Sequence, residues 1–412
     1  MRVVIVGAGV VGLATAYSLA SRGAEVTIVS DRAPGAGAST NNAGWVVPTE
    51  SGPVPAPGLI LQALKWMLRS DSPVYVRPSA SPAFIRFMIG MARACNARAF
   101  DAAFAATARL GQGTLDELDR WAADGVTFES HAAGELRVWI EPTALRRAID
   151  DLPRYERAGF EPELLGAAAA HQAVPALADG VVGGIRFPGA RHVNPGAVVD
   201  ALVRRCGQLG ATIVEGEVDH GLVEGSAEVE VGGAFGSVVA DAAVIAAGAW
   251  SGHVAAAFGV RLPMRPGKGY SLDYRPPTLP SEAPLMLAEA HCVMTPLDGG
   301  TRLAGTMEFG GFDEQVSATR VRALRRAPSR YLRGWDPDAP ATPPTAGLRP
   351  MTPDGLPVIG RLAASRSLFV ASGHAMLGLT LAPRTGRLLA DMILDAADPE
   401  VLAPFSPRRF GA

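Results

Sequence analysis

The chain is short of the residues that would make several explanations easy. It holds three cysteines, Cys95, Cys206 and Cys292, scattered over 412 residues. An odd number at such spacing argues against a disulfide scaffold and against a cysteine zinc site, so no metal centre is expected. Lysine occurs only at Lys65 and Lys268, no basic tract is present, and the formal net charge is −2. Nucleic acid is therefore not an expected partner. No apolar run reaches the roughly 20 residues that span a bilayer. The sequence opens directly into MRVVIVGAG, without a charged leader and cleavage site, so the cytoplasm is the expected location. Gly (47) and Pro (33) are plentiful but aperiodic, which excludes collagen-like and low-complexity readings.

What is present is a nucleotide-binding opening. Residues 2–6 read as a strand, VGLATAYSLASRG at 11–23 as a helix, and EVTIV at 25–29 as a second strand. This is the βαβ start of a doubly wound sheet. Between the first strand and the helix lies GAGVVG. Gly7 allows the tight turn, Gly9 lets the backbone approach a pyrophosphate, and Gly12 lets the helix pack on the sheet. Val10 and Val11 start the helix, and its free amides face the phosphates. The second strand ends in Ser30, Asp31 and Arg32. Asp31 is expected on the adenosine ribose, with Ser30 as the other register and Arg32 beside them.

Further along, helices are expected at 57–69, 82–94, 99–123 with a break near Gly111, and 142–159. A strand, loop, helix and strand follow over 183–216, then a β meander that includes 227–233 and a strand running into a turn at 240–251. Strands at 270–275, 291–297 and 301–309, a helix over 315–334 and a Pro-rich connection at 336–350 precede a closing strand pair and helix. Nucleotide-domain features thus recur at 1–44, about 190–261 and 353–393. Such a layout suits a long cofactor lying across the whole domain, and FAD fits better than NAD. The apolar segment 59–69 reads as a buried helix, with a membrane-surface helix as the alternative.

Several stretches carry a family resemblance. GAGVVG, STNNAGWVVP (39–48), APGLILQALKWMLRSDSPVYVRP (56–78), AAGAWS (246–251), PGKGYSL (266–272), GTMEFGG (305–311), GLRPMTPDGLPVIG (347–360) and ASGHAMLGLTLAP (371–383) cover nearly the whole chain. Together they resemble the D-amino-acid oxidase-like flavoproteins, in particular the small-subunit type of D-amino-acid dehydrogenase. The resemblance implies an α/β and α+β fold. A Rossmann-like FAD-binding domain, from 1–55, 190–261 and 345–412, would carry an inserted substrate domain of mixed β-sheet and helices, from 56–189 and 262–344.

The same resemblance assigns roles. Ser39, Thr40, Asn42, Ala43 and Gly44 would clasp the pyrophosphate and flavin. Val218 would pack near the adenine, and Ala247 and Gly248 would pass the adenosine half. Gly373, His374, Leu377, Gly378, Leu379 and Thr380 would face the isoalloxazine. Arg349 is the first candidate for a substrate carboxylate, because a planar guanidinium binds one bidentately. Tyr270 is the second, offering a hydroxyl above the ring, and His374 completes the candidate catalytic set.

The activity implied is oxidative deamination of a D-amino or cyclic D-imino acid, such as D-alanine, D-proline or 4-hydroxy-D-proline. Hydride would pass from Cα to flavin N5, giving an imine or 2-oxo acid. Electrons would leave to a respiratory quinone or protein. That raises the weight of peripheral contact between 59–69 and the inner face of the cell membrane. A glycine- or sarcosine-type amine oxidase is the runner-up, and a non-catalytic flavin-binding subunit is the third reading. The oligomeric state is not legible.

Overall fold

The runs at 2–6, 25–30, 242–245 and 368–372 are too short for helices and rich in Val, Ile and Ala. In the computed structural model they become the middle of a six-stranded sheet. The structure describes all residues except 61, 64–71, 73, 225–227, 276–280 and 364. The strand order is Thr212–Glu215, Glu25–Ser30, Arg2–Val6, Ala242–Ile245, Leu368–Ser372 and Val358–Arg361. Every pairing is parallel except the last, which is antiparallel. The central strands read as unbroken apolar runs because both faces are covered. Val3 and Ile5 pack among residues of the helices Val10–Ala20 and Gly378–Leu394. Val4 and Val6 pack against Val229 and Val231 of an antiparallel meander, His220–Glu224, Glu228–Gly233 and Gly236–Ala240.

A second, nine-stranded mixed sheet is built largely from the inserted segments. Its path runs Thr345–Met351, Arg265–Tyr274, Gly300–Phe309, Cys292–Leu297, Leu285–Leu287, Glu135–Trp139, Gly183–Phe187 and Glu163–Gly166. Val74–Val76 pairs with Gly300–Phe309 off this path. The architecture is therefore a Rossmann-like α/β layer carrying an inserted mixed sheet with its own helices. Residues 38–44 join the two sheets. Arg302 on the nine-stranded sheet donates to the carbonyls of Thr40 and Asn42, each at 3.1 Å, while its guanidinium pairs with Asp273.

Three expectations need correction. The Pro-rich connection ends early, since Thr345–Met351 is a strand on Arg265–Tyr274. Residues 345–351 therefore belong with the nine-stranded sheet and not, as the proposed boundary at 345 had it, with the nucleotide layer. The helix expected over 142–159 is broken into Pro142–Asp150 and Leu152–Arg157, with Pro153 in the first turn of the second piece; a proline cannot donate to the preceding turn. The helix expected over 315–334 is confined to Ala318–Arg326 followed by a 3₁₀ turn. Most of the segment 59–69 lies outside the described residues. Among those described, no helix is long and apolar enough to cross a membrane.

Candidate functional site

The carboxyl ends of four parallel strands open onto one cavity of about 550 Å³. Val6–Gly7, Val29–Ser30, Ala246–Ala247 and Ala371–Ser372 all line it. This is where open α/β sheets bind ligands, and the volume suits a large organic molecule. Gly7 has φ +115°, and a Cβ on it would meet the carbonyl oxygen of Ala246 at 2.5 Å. A Cβ on Gly12 would overlap the Gly7 carbonyl. The turn thus brings the start of helix Val10–Ala20 hard against the sheet. Gly9 caps that helix without a side-chain bond. Ser39 Oγ instead accepts from the Val10 amide at 2.9 Å, so the 38–44 segment is docked at the helix N-terminus.

Of the cofactor residues expected from sequence, Gly7, Gly9, Val10, Val11, Ser30, Asp31, Arg32, Ser39, Asn42, Val218, Ala247, Gly248, His374, Gly378 and Leu379 line this cavity. The N-terminal glycine loop and the start of the last helix therefore meet in one space. Gly12, Thr40, Ala43, Gly44, Gly373, Leu377 and Thr380 do not line it. Thr40 Oγ1 closes a turn on the Gly35 carbonyl. The Asn42 side chain accepts from the Gly44 amide and donates to the Ser39 carbonyl, so it shapes the same segment. Thr380 needs correcting: its hydroxyl is buried between the Val47 amide at 3.1 Å and the Trp45 carbonyl at 3.3 Å. It faces the 45–47 segment and neither cavity. Arg32 lies on the rim, stacked 4.3 Å over Trp250 and paired with Glu314 at 2.8 Å.

A second cavity, about 590 Å³, adjoins the first across a shared wall. Asn41, Asn42, Arg349 and Met376 line both. Ala43, Leu377 and Cys95 line the second alone. Its other walls are mostly apolar, with Met88, Met91, Met286, Met307 and Phe309 among them, and Glu50, His291 and Thr306 as polar exceptions.

Arg349 stands on strand Thr345–Met351 and reaches back over its neighbour. Its Nη1 donates to the Thr306 carbonyl at 2.8 Å. No carboxylate pairs with it among the described residues, and burial pushes its guanidinium down to about 10. It remains a cation at neutral pH. Gly269, on the intervening strand, leaves the space the guanidinium fills; a Cβ there would overlap Nη1 and Nη2.

That placement overturns the expectation for Tyr270. Successive residues on a strand face opposite ways. Gly269 faces the first cavity, so Tyr270 points to the other side, packed with Leu272 and Tyr274 in the core of the nine-stranded sheet. Its hydroxyl donates to Glu308 at 2.8 Å, and burial holds the phenol well above its usual range. Lys268, on the same side, donates to the Gln315 carbonyl. Neither touches a cavity.

His374 is fully buried at the cavity wall. Its Nε2 lies 3.1 Å from Thr385 Oγ1, and its Nδ1 has no partner among the described residues. Burial lowers it to about 3, so the ring is neutral. Glu50 closes another part of the second cavity. Arg137 bridges it, at 3.0 Å, to the fully buried Glu135. Burial raises the Glu50 carboxyl, opposed by Arg137 and reinforced by Glu135. Sequence reasoning missed Glu50, Gly269 and Thr306. Gly269 and Thr306 lie in stretches that carry the family resemblance, PGKGYSL and GTMEFGG, but neither was singled out in them. Glu129, His131 and Asp298 bring ligand atoms close together, but line neither cavity.

The family model described as DAO, FAD dependent oxidoreductase, matches residues 2–392. The chain belongs to this family. Among curated relatives, the D-amino acid dehydrogenase of Granulibacter bethesdensis is 35% identical over 403 residues, spanning 95% of this chain and 96% of that protein. That of Cereibacter sphaeroides is 34% identical over 412 residues, spanning 97% and 93%. Among solved structures, glycine oxidase from Geobacillus kaustophilus superimposes with a TM-score of 0.79 at 25% identity, covering 98% of both chains. Iminodiacetate oxidase from Chelativorans sp. gives 0.76 at 25% identity, covering 98% and 99%.

The FAD-dependent oxidoreductase fold accounts for the first cavity. The donor set there is a helix N-terminus, a glycine turn and small side chains, which suits a pyrophosphate flanked by two ring systems. His374 Nδ1, buried in the cavity wall and without a partner among the described residues, is a polar atom that a bound cofactor would complete.

Proposed function

We propose that this chain binds FAD and oxidises a D-amino or cyclic D-imino acid to the imine or 2-oxo acid. The observation that carries the reading is Arg349, a buried cation without a carboxylate partner among the described residues, standing in the wall between the cofactor cavity and an apolar one. A substrate carboxylate supplies the missing charge and accepts the guanidinium fork. The side chain of the substrate then occupies the apolar cavity, whose methionines adapt to several shapes. The D configuration is supported by the 34–35% identical relatives.

When bound, the flavin supplies the two-electron acceptor. The residues of this chain bind and orient. Gly7, Gly9 and the helix start would hold the pyrophosphate, with Ser39 and Asn42 beside it and Ser30, Asp31 and Val218 at the adenosine end. Neutral His374 adds a hydrogen-bonding edge without adding charge. Arg349 fixes the carboxylate and with it the position of Cα. Apolar walls exclude water from the reacting centre. D-alanine, D-proline and 4-hydroxy-D-proline are the substrates we favour, with a respiratory quinone or protein as electron acceptor. Attachment to the inner face of the cell membrane through 59–69 belongs to the same proposal.

Anaerobic mixing of the FAD-loaded protein with a panel of D-amino and cyclic imino acids tests this. Loss of the oxidised-flavin absorbance with D- but not L-isomers is expected. An inert flavin across the panel would favour the non-catalytic reading. Fast peroxide release in air, with glycine or sarcosine preferred, would favour the amine-oxidase reading that the glycine oxidase likeness supports.

A further inference from the structure

Strand Gly300–Phe309 does not run evenly beneath the second cavity. Opposite it, Lys268 pairs with Glu308 and Tyr270 with Gly305, so two steps on one strand face three on the other. The extra residue falls at Thr306–Met307. Such a bulge re-aims the residues it contains. Thr306 adopts φ +67°, the left-handed region, and is the only β-branched residue among the described residues to do so. Threonine is disfavoured there, because its branched Cβ crowds the backbone.

Two consequences follow from this backbone. The Thr306 carbonyl turns to accept from Arg349 Nη1 at 2.8 Å. The Thr306 hydroxyl is shut off from solvent and has no partner among the described residues, although Thr306 lines the second cavity. A buried hydroxyl is almost always paired. Valine would fill the same volume without an orphaned group. The position thus carries both an unfavourable conformation and a donor without a partner among the described residues, beside Arg349, which lines both cavities.

We infer that Thr306 is a substrate-binding residue. Its carbonyl aims Arg349, and its hydroxyl, after rotating about Cα–Cβ into the cavity, donates to the carboxylate that Arg349 holds. This rests on the carboxylate reading of Arg349 given above. The ligand class is a small amino or imino acid with a free α-carboxylate; an amide or ester would lose the charge-assisted bond.

The test uses FAD-loaded protein and whichever of D-alanine, D-proline and 4-hydroxy-D-proline reduces the wild-type flavin fastest. Thr306→Val should raise KM about tenfold or more, the usual effect of losing one hydrogen bond to a charged group, with kcat within about threefold. Thr306→Ser should stay near wild type, since it keeps the hydroxyl. Thr306→Gly relieves the backbone conformation but loses the hydroxyl, so it should melt no lower than wild type and still show the raised KM. A Thr306→Val enzyme with unchanged KM, or a Thr306→Ser enzyme as impaired as the valine variant, overturns the assignment while leaving the function intact. A wild-type flavin that none of the three substrates reduces would instead count against the proposed function, and the assignment would fall with it.

Discussion

The guanidinium of Arg349 lies across Gly269, in space that any side chain on the intervening strand would take. Gly269 faces the first cavity, and Arg349 stands in the wall of both. One residue without a side chain therefore lets a cation from the sheet edge reach the middle of the site. Gly269→Ala should fold, because a strand accepts alanine, but should displace Arg349. We expect a fall in kcat/KM of at least about tenfold, a loss of roughly 1.4 kcal/mol, with unchanged FAD content. An alanine variant of wild-type efficiency would mean the guanidinium has another route to its position.

Arg349 itself should show opposed effects on stability and activity. A buried charge without a carboxylate partner among the described residues is costly, and replacing it with an apolar side chain of similar length relieves that cost. Arg349→Met should therefore melt higher than wild type while losing substrate-dependent flavin reduction. The gain is expected to be about 1–3 kcal/mol. A variant that lost both stability and activity would indicate a structural role instead. Differential scanning calorimetry and anaerobic stopped-flow measurements on the same preparation decide between them.

Two buried histidines contribute to the loss of stability at acid pH. His374 is lowered to about 3 and His192 to about 4, both chiefly by burial, from an ordinary value near 6.5. Below 6.5 the unfolded chain takes up protons that the folded chain refuses, so stability is lost as pH falls. Each histidine contributes a slope of up to about 1.4 kcal/mol per pH unit. The window runs from about 6.5 down to 3 for His374 and to 4 for His192. His374→Leu should make melting temperature fall less steeply between pH 6.5 and 4. An unchanged slope would show that His374 titrates normally.

Glu50 works in the opposite direction. Its folded carboxyl is raised above the ordinary 4.5 by burial. Its contribution to stability is thus fully present below 4.5 and is lost as pH rises through the raised value. Glu50→Gln removes that loss, and Arg137 keeps Glu135 at 2.7 Å. Melting temperature should rise in the glutamine variant at pH 8 and change little at pH 4. Equal effects at both pH values would show that Glu50 stays ionised throughout.

The sequence made the nucleotide layer legible because its signals are local. A short Val/Ile run, a glycine turn and a helix at fixed spacing force one arrangement, in which Gly7, Gly9, Val10 and Val11 line the first cavity. The meeting of GAGVVG with the loop before Gly378 was also readable, since both follow strands of one parallel sheet. Tyr270 was not. The side of the sheet it faces depends on register against two neighbours, and a slip of one residue inverts the side. Thr306 was invisible for a related reason: a bulge is a property of a strand pair, and nothing in GTMEF marks which residue is extra. Thr380 illustrates a third limit. Its hydroxyl could cap, pack or bind, and only the 45–47 segment lying against it decides.

The segment 38–44 lies at a junction. Ser39 accepts from the helix start at the first cavity, Asn41 and Asn42 line both cavities, and Arg302 and Ser271 tie the same stretch to the nine-stranded sheet. A molecule settling in one cavity therefore stiffens a wall of the other. Binding free energies at the two places become mutually dependent, and reciprocity requires the dependence to be equal in both directions. A carboxylate ligand held on Arg349 should tighten the equilibrium binding of the dinucleotide by the same factor by which the dinucleotide tightens the carboxylate. The protein would then hold its cofactor most firmly while it is at work.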